Sequence, residues 1–345
     1  MTRIAAFLAV AAVLAGGGAA SHAAGGGVSD QVTGEIYVVS SAGGTRHALT
    51  STAGEYEVQP SVSPDGRTIA YLARGGIQLM NPDGSSQRPL GKASGERPQW
   101  SPDGRSLVYS GGNGTLCVPP AQRCAFTDVW TVGADGTGER KVLDRAVHPV
   151  WSPGGRRLSF RDFVVGEGGD VVDSLKVASP DGSNVRRLSR AEAIDGVRSV
   201  PAWSPNGKWI AFNTFNMYES YHRLFVIRPD GSHLRQLNYG TYPAWSPNGK
   251  LIAFERDRGV WVIPLTGKRA RRISTYGDCP TWSPRGKWIA FITNRREVDS
   301  RLVIVRPDGR GRRVLATAAN CYSFGWAEPS PPAWSRDGSK IYFGG

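Results

Sequence analysis

Histidine is scarce in this sequence, with only five residues among 345, at positions 22, 47, 148, 222 and 233. The sequence also contains no G-x-S-x-G nucleophile elbow, no G-x-x-x-x-G-K-S/T phosphate loop, no H-E-x-x-H and no EF-hand pattern. Each of these patterns marks one chemistry: hydrolysis by a serine nucleophile, nucleotide binding, zinc hydrolysis or calcium binding. We therefore predict no catalytic residue, no metal site and no cofactor.

Long apolar runs are absent beyond the first residues. The one candidate, residues 4–15, is shorter than the ~20 residues that a membrane-spanning helix needs. It follows Arg3 and precedes Ser-His-Ala at 21–23, which places small residues at the −3 and −1 positions of a signal-peptidase site. This pattern predicts a signal peptide over residues 1–23 and a flexible linker over 24–32. We expect a soluble protein without a transmembrane segment, either secreted or periplasmic.

Cysteine is rare as well, with four residues. Because the first of them is Cys117, no lipid-anchored cysteine follows the predicted cleavage site. Oxidising surroundings outside the cytoplasm favour disulfides, and Cys117 and Cys124 flank a loop short enough for local pairing. We predict the pairs Cys117–Cys124 and Cys279–Cys321. Free thiols or a metal site are the alternative, but the spacing is not C-x2-C and no histidine lies near either pair.

Glycine and proline, by contrast, are abundant, with 44 and 23 residues. Inside a helix they cost roughly 1 and 3 kcal/mol each, so this composition excludes a helical bundle or coiled coil. Eleven residues each of Trp, Tyr and Phe, within a hydrophobic fraction of 40%, exclude a disordered chain. The composition predicts a turn-rich all-β protein. Length alone predicts about two domains of ~150 residues, an expectation that a repeat overrides.

Such a repeat exists: the pattern Pro-x-Trp-Ser-Pro-Asp-Gly-Lys/Arg-x-Ile/Leu-x-Phe/Tyr recurs along most of the chain. Successive third positions lie 37 to 52 residues apart, a period typical of four-stranded propeller blades. Ser-Pro-Asp-Gly has the residues of a β-turn, and we interpret the tryptophan as packing between adjacent blades. The seven copies span residues 60–71, 98–109, 149–160, 201–212, 243–254, 280–291 and 332–343.

A second strand signal lies between the copies, for example at residues 36–39 and 224–227. The chain thus begins with the second half of a blade and ends with the first half. Joining the two halves would close a ring and remove the open sheet edges that promote aggregation. We predict an all-β fold over residues 33–345: a seven-bladed β-propeller of four-stranded antiparallel blades, its ring closed by N-terminal strands joining the C-terminal strands.

The repeats resemble the PD40, or WD40-like, repeats of the TolB-like β-propeller family, over about residues 33–345. In that family TolB proper is a periplasmic module that binds a peptidoglycan-associated lipoprotein, and other members carry the propeller in front of a peptidase domain. The resemblance implies a propeller of this type but not TolB proper, which has six blades behind a small α/β domain. Individual copies also depart from the motif: Val62 stands for Trp, Arg336 for Pro, and Gly154, Asn206, Asn248 and Arg285 for Asp.

The residue before each repeat proline is expected to lie near the channel of the propeller, where loops between blades commonly bind ligands. Among these positions we select Arg97, His148 and Tyr242, together with the neighbouring Asp278, as binding candidates. The alternative is that each is a solvated loop residue with a packing role. The seven positions are Gln59, Arg97, His148, Val200, Tyr242, Cys279 and Pro331.

Positive charge is concentrated in the predicted turns. The formal net charge is +13, yet the two types of turn and the strand starts after them hold 26 Lys and Arg against nine acids, a net +17, which leaves −4 elsewhere. Alternating strand directions place both types of turn on one face of a propeller. This predicts a basic face that attracts an anionic envelope polymer. Nucleic acid is the rival ligand, against which export argues; the bland alternative is that these side chains are simply solvated.

Three functions remain open from the sequence. The first is a monomeric, secreted TolB-like scaffold at the cell envelope that binds a protein or another ligand. The second is a propeller enzyme, of lactonase or lyase type, with a site at the channel mouth. The third is a carbohydrate- or peptide-binding module. The complete set of repeats and the absence of catalytic motifs favour the first.

Overall fold

The computed structural model describes residues 34–345 apart from 52–56, 74–75, 112–115, 119–122, 126–127, 166–170, 189–196, 198, 217–220, 294–299, 318 and 320–329. Regular structure in these ranges is entirely β, and they contain no helix that could cross a membrane. Residues Thr33–Gly345 make up one compact unit. The signal peptide and linker predicted before it lie outside the described residues and stay predictions.

The strands form seven four-stranded antiparallel sheets, numbered here as blades 1 to 7, and one separate two-stranded ladder. The first two strands, β1 (Ile36–Ser40) and β2 (His47–Ala48), belong to blade 7. Blade 1 contains β3 (Val58–Val62), β4 (Ile69–Ala73), β5 (Gly76–Met80) and β6 (Arg88–Pro89). Blade 2 contains β7 (Gly95–Trp100), β8 (Ser106–Gly111), β11 (Asp128–Gly133) and β12 (Arg140–Leu143), and the ladder between its middle strands is β9 (Leu116–Val118) and β10 (Arg123–Ala125).

The remaining blades repeat this order along the chain. Blade 3 contains β13 (Ala146–Trp151), β14 (Leu158–Val165), β15 (Val171–Ala178) and β16 (Arg186–Arg187). Blade 4 contains β17 (Ala202–Trp203), β18 (Ile210–Asn216), β19 (Tyr221–Ile227) and β20 (Arg235–Tyr239). Blade 5 contains β21 (Thr241–Trp245), β22 (Leu251–Arg256), β23 (Gly259–Pro264) and β24 (Arg271–Ser274). Blade 6 contains β25 (Asp278–Trp282), β26 (Ile289–Thr293), β27 (Arg301–Val305) and β28 (Arg313–Thr317), and blade 7 is completed by β29 (Ala333–Trp334) and β30 (Lys340–Gly344).

Blade 7 joins the two ends of the described chain. Strand β1 pairs antiparallel with β30 over five residue pairs, from Ile36 opposite Gly344 to Ser40 opposite Lys340. The Ile36 amide also donates to Thr50 Oγ1 at 2.9 Å, which ties the following segment to the same blade. The predicted seven-bladed propeller, closed by its terminal strands, is therefore confirmed.

The repeat turn forms as its residue types predict. In blade 1, Ser63 Oγ donates to Asp65 Oδ1 at 2.6 Å and accepts the Thr68 amide at 2.9 Å, while Gly66 takes a φ of +77°. Where asparagine replaces aspartate, an amide oxygen takes over: Asn206 Oδ1 accepts Ser204 Oγ at 2.8 Å. The departure from aspartate in blades 4 and 5 thus preserves the turn, because either side chain supplies the acceptor.

Turns of neighbouring blades touch around one face of the ring, called here the turn face. In six of the seven junctions the proline Cδ of one turn lies 3.4 to 3.9 Å from where a Cβ on the next turn's glycine would be. Arg336 takes the place of proline in blade 7, and its Cβ makes the seventh such approach, to Gly66 at 3.3 Å. Because strand directions alternate, the turns between third and fourth strands lie on this face too, as predicted. We call these the outer turns, and the repeat turns between first and second strands the inner turns.

The repeat tryptophan joins adjacent blades, which confirms its predicted role. Trp100 Nε1 donates to the Ser61 carbonyl at 3.0 Å, and Trp245 Nε1 donates to the Ala202 carbonyl at 2.9 Å, in each case reaching the inner strand of the preceding blade. Trp282 makes the same bond to Ala244 at 3.0 Å. The buried core follows the same junctions, since one cluster combines residues of blades 6 and 7 and another those of blades 3 and 4.

Trp245→Phe is expected to cost about 1 kcal/mol more unfolding free energy than Trp151→Phe, because only the first removes a hydrogen bond. Trp151 Nε1 is buried and donates to no acceptor in the described ranges, so Trp151 is a matched control in a blade that lacks this bond. Chemical denaturation of both variants measures the difference. Equal losses of unfolding free energy would show that the hydrogen bond from the indole to the carbonyl adds no stability beyond that of the packed indole.

Three arginines of the turn face also connect blades. Each is the first residue of an outer strand, and each guanidinium donates to a carbonyl in the next blade's outer turn: Arg186 to Asp230, Arg235 to Leu265 and Arg271 to Pro307. Part of the positive charge that the sequence places on this face therefore holds the ring together. These three side chains are exposed to solvent and also hydrogen-bonded to the neighbouring blade.

Candidate functional site

The residues before the repeat prolines have an unusual backbone. Gln59, Arg97, His148, Tyr242 and Cys279 all have a positive φ, between 51° and 61°. The pairing of each inner strand with its neighbour shifts register at this point. Such a bulge bends the strand and redirects the side chain, at a strain of about 1–3 kcal/mol for a non-glycine residue. Five blades thus have a strained, redirected residue at the second or third position of their inner strand.

Blades 4 and 7 differ from the other five at this position. Their residues at this position are Val200 and Pro331, neither of which has a positive φ. A β-branched side chain disfavours the left-handed region, and the proline ring fixes φ near −65°. The inner strands of these two blades are correspondingly short, with two residues each in β17 and β29.

His148 lies at the centre of a basic group. Its side chain is buried, and its Nδ1 lies 3.2 Å from Nη1 of Arg161, in the next strand of the same blade. Burial, followed by the charges of Arg161 and Arg97, lowers the pKa of His148 well below its usual value of 6.5. Because arginine only donates, Nδ1 must accept, which puts the proton of the neutral imidazole on Nε2. The His148 amide in turn donates to Ser110 Oγ of blade 2 at 2.9 Å.

Arg97 and Gln59 connect blades 1 and 2 in the same way. The Arg97 amide donates to Gln59 Oε1 at 2.6 Å, and Gln59 is buried. Gln59 Nε2 has no acceptor among the described residues. A cavity of about 290 Å³ opens beside this pair. It extends along the inner strands of blades 1, 2, 6 and 7, and its lining includes Gln59, Arg97, Gln99, Thr281, Pro331 and Trp334. We call the end of this cavity at Gln59 and Arg97 the channel mouth.

Two carboxyl groups approach each other between blades 5 and 6. Asp278 is the first residue of the inner strand β25, and Glu255 lies on β22 of the preceding blade. Burial, then the charge of Asp278 and a hydrogen bond to it, raises the pKa of Glu255 to about 8. At neutral pH the pair therefore shares a proton, because two carboxylates this close do not both ionise readily.

The four residues selected from the sequence lie near the beginning of inner strands, and the structure places three of them in two groups. Arg97 and His148 belong to the basic group, whereas Asp278 pairs with Glu255. Tyr242 occupies the bulge position of blade 5 and is half-buried. Their role in binding stays a prediction.

Arg161, Asn213 and Glu255 were missed by the sequence analysis. Each directly follows the final aromatic residue of a repeat, on the second strand of its blade. Asn213 is buried; its Oδ1 accepts Thr241 Oγ1 of blade 5 at 3.0 Å, and its Nδ2 lies 3.1 Å from His222 Nδ1. The signal was present in the sequence, because this position is apolar in other copies, such as Leu72 and Ile292.

The structure describes only some of the cysteines in the two predicted disulfides. Cys279 is buried and disulfide-bonded, whereas Cys321 and the side chains of Cys117 and Cys124 lie outside the described residues. The backbones of Cys117 and Cys124 lie directly opposite each other in the β9–β10 ladder, a separation that suits a disulfide. Both pairings stay predictions. No group of three or more His, Cys, Asp or Glu is placed to hold a metal ion in the described part of the chain.

Comparison with known proteins finds similarities that differ in sequence identity and in the share of the chain that they cover. An uncharacterized protein of Agrobacterium fabrum is 26% identical over 202 residues, which cover 54% of this chain and 64% of that relative. A protein of Agrobacterium tumefaciens whose structure was assigned as a TolB candidate is 17% identical, with a TM-score of 0.58, covering 90% of this chain and 97% of that one. An oligogalacturonate lyase in complex with manganese is 12% identical, with a TM-score of 0.65, covering 91% and 98%.

The two structural similarities concern the fold alone, since both identities are low. The family model of the TolB β-propeller domain, PD40, matches residues 127–343, which is more than half of the sequence. That match covers the repeats of blades 3 to 7 described above. The chain therefore belongs to the family of TolB-type β-propellers.

Proposed function

We propose that this protein is an extracytoplasmic TolB-like scaffold that binds a partner at the channel mouth. The observation that carries the proposal is the set of left-handed residues before the repeat prolines, which includes Arg97, His148 and Tyr242. Backbone strain of this kind persists only where the surroundings impose it, and it concentrates at binding and catalytic sites. Export rests on the charged, apolar and small-residue pattern of residues 1–23.

The distribution of charge around the channel mouth indicates which charges the partner carries. Arg97 and Arg161 bring positive charge close to His148 in blades 2 and 3, whereas Asp278 and Glu255 bring two carboxyl groups together in blades 5 and 6. A ligand with charges of both signs matches this arrangement better than a uniformly anionic polymer does. A segment of an envelope protein has that character, so we propose a protein partner for the mouth.

Affinity capture tests the proposal. The purified chain, immobilised, is incubated with the extracytoplasmic fraction of its source, and the retained proteins are identified with and without Arg97→Ala. We expect a partner that the wild type retains and that Arg97→Ala retains about tenfold less, since a charged hydrogen bond contributes on the order of 1.5–3 kcal/mol. Lys208→Ala is the matched control, because Lys208 is exposed on the turn face at the other end of the strands.

Two outcomes would contradict this assignment. If Arg97→Ala and Lys208→Ala retain the same proteins in the same amounts as the wild type, the mouth is not the binding site. If both variants lose the partner equally, general charge attraction explains the capture. Thermal unfolding of each variant shows that any loss of binding does not come from a loss of folding.

A propeller enzyme is the second candidate, and the Glu255–Asp278 pair favours it. A protonated carboxyl group beside an ionised one can act as acid and base in the same site. Incubation with oligogalacturonate, the substrate class of one structural neighbour, tests this alternative. Product formation by the wild type that Glu255→Gln abolishes would favour the enzyme. Absence of product with that substrate, together with partner capture, favours the scaffold.

A further inference from the structure

In blades 4 and 6 a tryptophan fills the cleft between the two turns of the turn face. Trp288 of blade 6 lies under two arginines, with guanidinium carbons 5.6 Å (Arg306) and 5.1 Å (Arg313) from its ring centroid. Its ring is also close to Gly311 in the outer turn. In blade 4, Trp209 contacts Arg228 at 5.5 Å and meets the His233 ring edge-on at 6.3 Å. The indole occupies the space between inner and outer turn in both blades.

Blade 3 has an arginine where these blades have the tryptophan. Arg157 follows the Ser-Pro-Gly-Gly-Arg turn as Trp288 follows Ser-Pro-Arg-Gly-Lys. The outer turns correspond as well, because the Ser179 amide donates to the Ser183 carbonyl as the Arg306 amide donates to the Arg310 carbonyl. Ser179, Asn184 and Arg186 of blade 3 thus occupy the positions of the residues that surround Trp288.

The cleft of blade 3 is open. A cavity of about 330 Å³ lies at this place. Its lining consists of Arg156, Arg157, Arg186, Ser179, Asn184, the end of β15 and Pro229 of blade 4. Without an indole, the space between the turns is bordered by three guanidinium groups and by two side chains that form hydrogen bonds.

No carboxylate of the inner turn neutralises these arginines. Gly154 stands where blades 1 and 2 have Asp65 and Asp103, and nothing lies within 4 Å of the position its Cβ would take. Asp181 of the outer turn accepts hydrogen bonds from the Ser183 amide and hydroxyl, which lower its pKa, and it does not line the cavity. Arg186 is held in place by its bond to the Asp230 carbonyl.

We propose that this cleft binds a phosphate group, either of a free ion or of a lipid headgroup. Guanidinium groups present paired donors that match phosphate oxygens, and Arg156 and Arg157 together supply the two positive charges that a phosphate dianion requires, beside Arg186, whose charge also acts on the Asp230 carboxylate. Asn184 and Ser179 add neutral donors at the same opening. The site lies on the turn face and does not depend on the channel-mouth function proposed above.

Titration of the purified chain with inorganic phosphate at low ionic strength tests the site. We expect Arg157→Ala to weaken phosphate binding about tenfold, since the variant removes one charge-assisted contact. Lys208→Ala removes the same charge from the turn of blade 4 and is expected to change the affinity less than twofold, because screening limits a distant charge. Vesicles of phosphatidylcholine with and without phosphatidylglycerol, in a co-sedimentation assay, distinguish a lipid source from the free ion.

Arg157→Trp provides a second variant that does not rely on loss of charge alone. By analogy with Trp209 and Trp288, the indole is expected to fill the cleft, keep the melting temperature at or above that of the wild type, and abolish phosphate and vesicle binding. Three results would overturn the proposal: binding that survives Arg157→Trp, equal weakening by Lys208→Ala and Arg157→Ala, or no binding of either probe to the wild type.

Discussion

Glu255→Gln is expected to stabilise the protein above pH 8 and to have little effect near pH 5. The folded-state pKa of Glu255 is raised to about 8, above the ordinary value of 4.5 that applies to the unfolded chain. Between these values the folded state binds more protons, so this group's contribution to stability is present at low pH and is lost as the pH rises through 8. Glutamine resembles the protonated acid at every pH. We expect an advantage on the order of 2 kcal/mol at pH 9.

Thermal unfolding of wild type and variant at pH 5 and pH 9 measures this difference. His148 also changes protonation in acid, but it does so in both proteins and cancels from the comparison. Asp257→Asn, which removes an exposed carboxylate of the same hairpin, is the control for the loss of one negative charge. A Glu255→Gln effect of the same size at both pH values would show that Glu255 and Asp278 do not share a proton.

Gly277→Ala is expected to cost about 3–5 kcal/mol of unfolding free energy. Gly277 precedes Asp278 at a φ of +151°, a conformation that side chains rarely adopt. An added Cβ would lie 2.4 Å from Cδ2 of Phe291, which is fully buried, and 2.9 Å from Cγ2 of Val260. Backbone strain and overpacking of the core therefore add together, and both act next to the carboxyl pair.

Gly138→Ala is the matched control for this substitution. Gly138 also has a positive φ, +64°, but nothing lies within 4 Å of the position its Cβ would take. Strain alone then predicts a loss of about 1 kcal/mol. Denaturant titration of the two variants gives the two free energies. Similar losses would mean that the contact between Gly277 and Phe291 relaxes without cost.

The candidate site was predictable in its positions but not in its partners. The repeat proline identifies the residue before it as lying near the beginning of an inner strand, as Arg97, His148 and Tyr242 do, and their role in binding stays a prediction. Nothing in the local sequence indicates that five of these residues take a left-handed φ, or that Val200 and Pro331 do not share it. That result depends on the φ preferences of the individual side chains. It also depends on a bulge, which is visible only when the paired strands are known.

Partners that lie far apart in sequence depend on how blades stack. Glu255 and Asp278 belong to different blades, as do Ser110 and His148 or Arg186 and Asp230. A motif specifies each blade by itself, because its turn and strand residues interact within about twelve positions. Contacts across a junction also depend on the rotation between neighbouring blades, which no single repeat encodes.

The sequence by itself determined the number of blades, the closure of the ring and the family, since these follow from local turn chemistry repeated seven times. It also indicated that most of the basic residues lie in turns of one face, because strands alternate in direction. Tertiary structure decided which of those arginines connect blades and which surround an open cleft in blade 3. It likewise decided that Arg97 and Arg161 lie near His148 and that Glu255 lies beside Asp278. The physical reason is that hydrogen bonding within a turn is local, whereas burial and charge at the mouth and in the clefts arise only where separate blades meet.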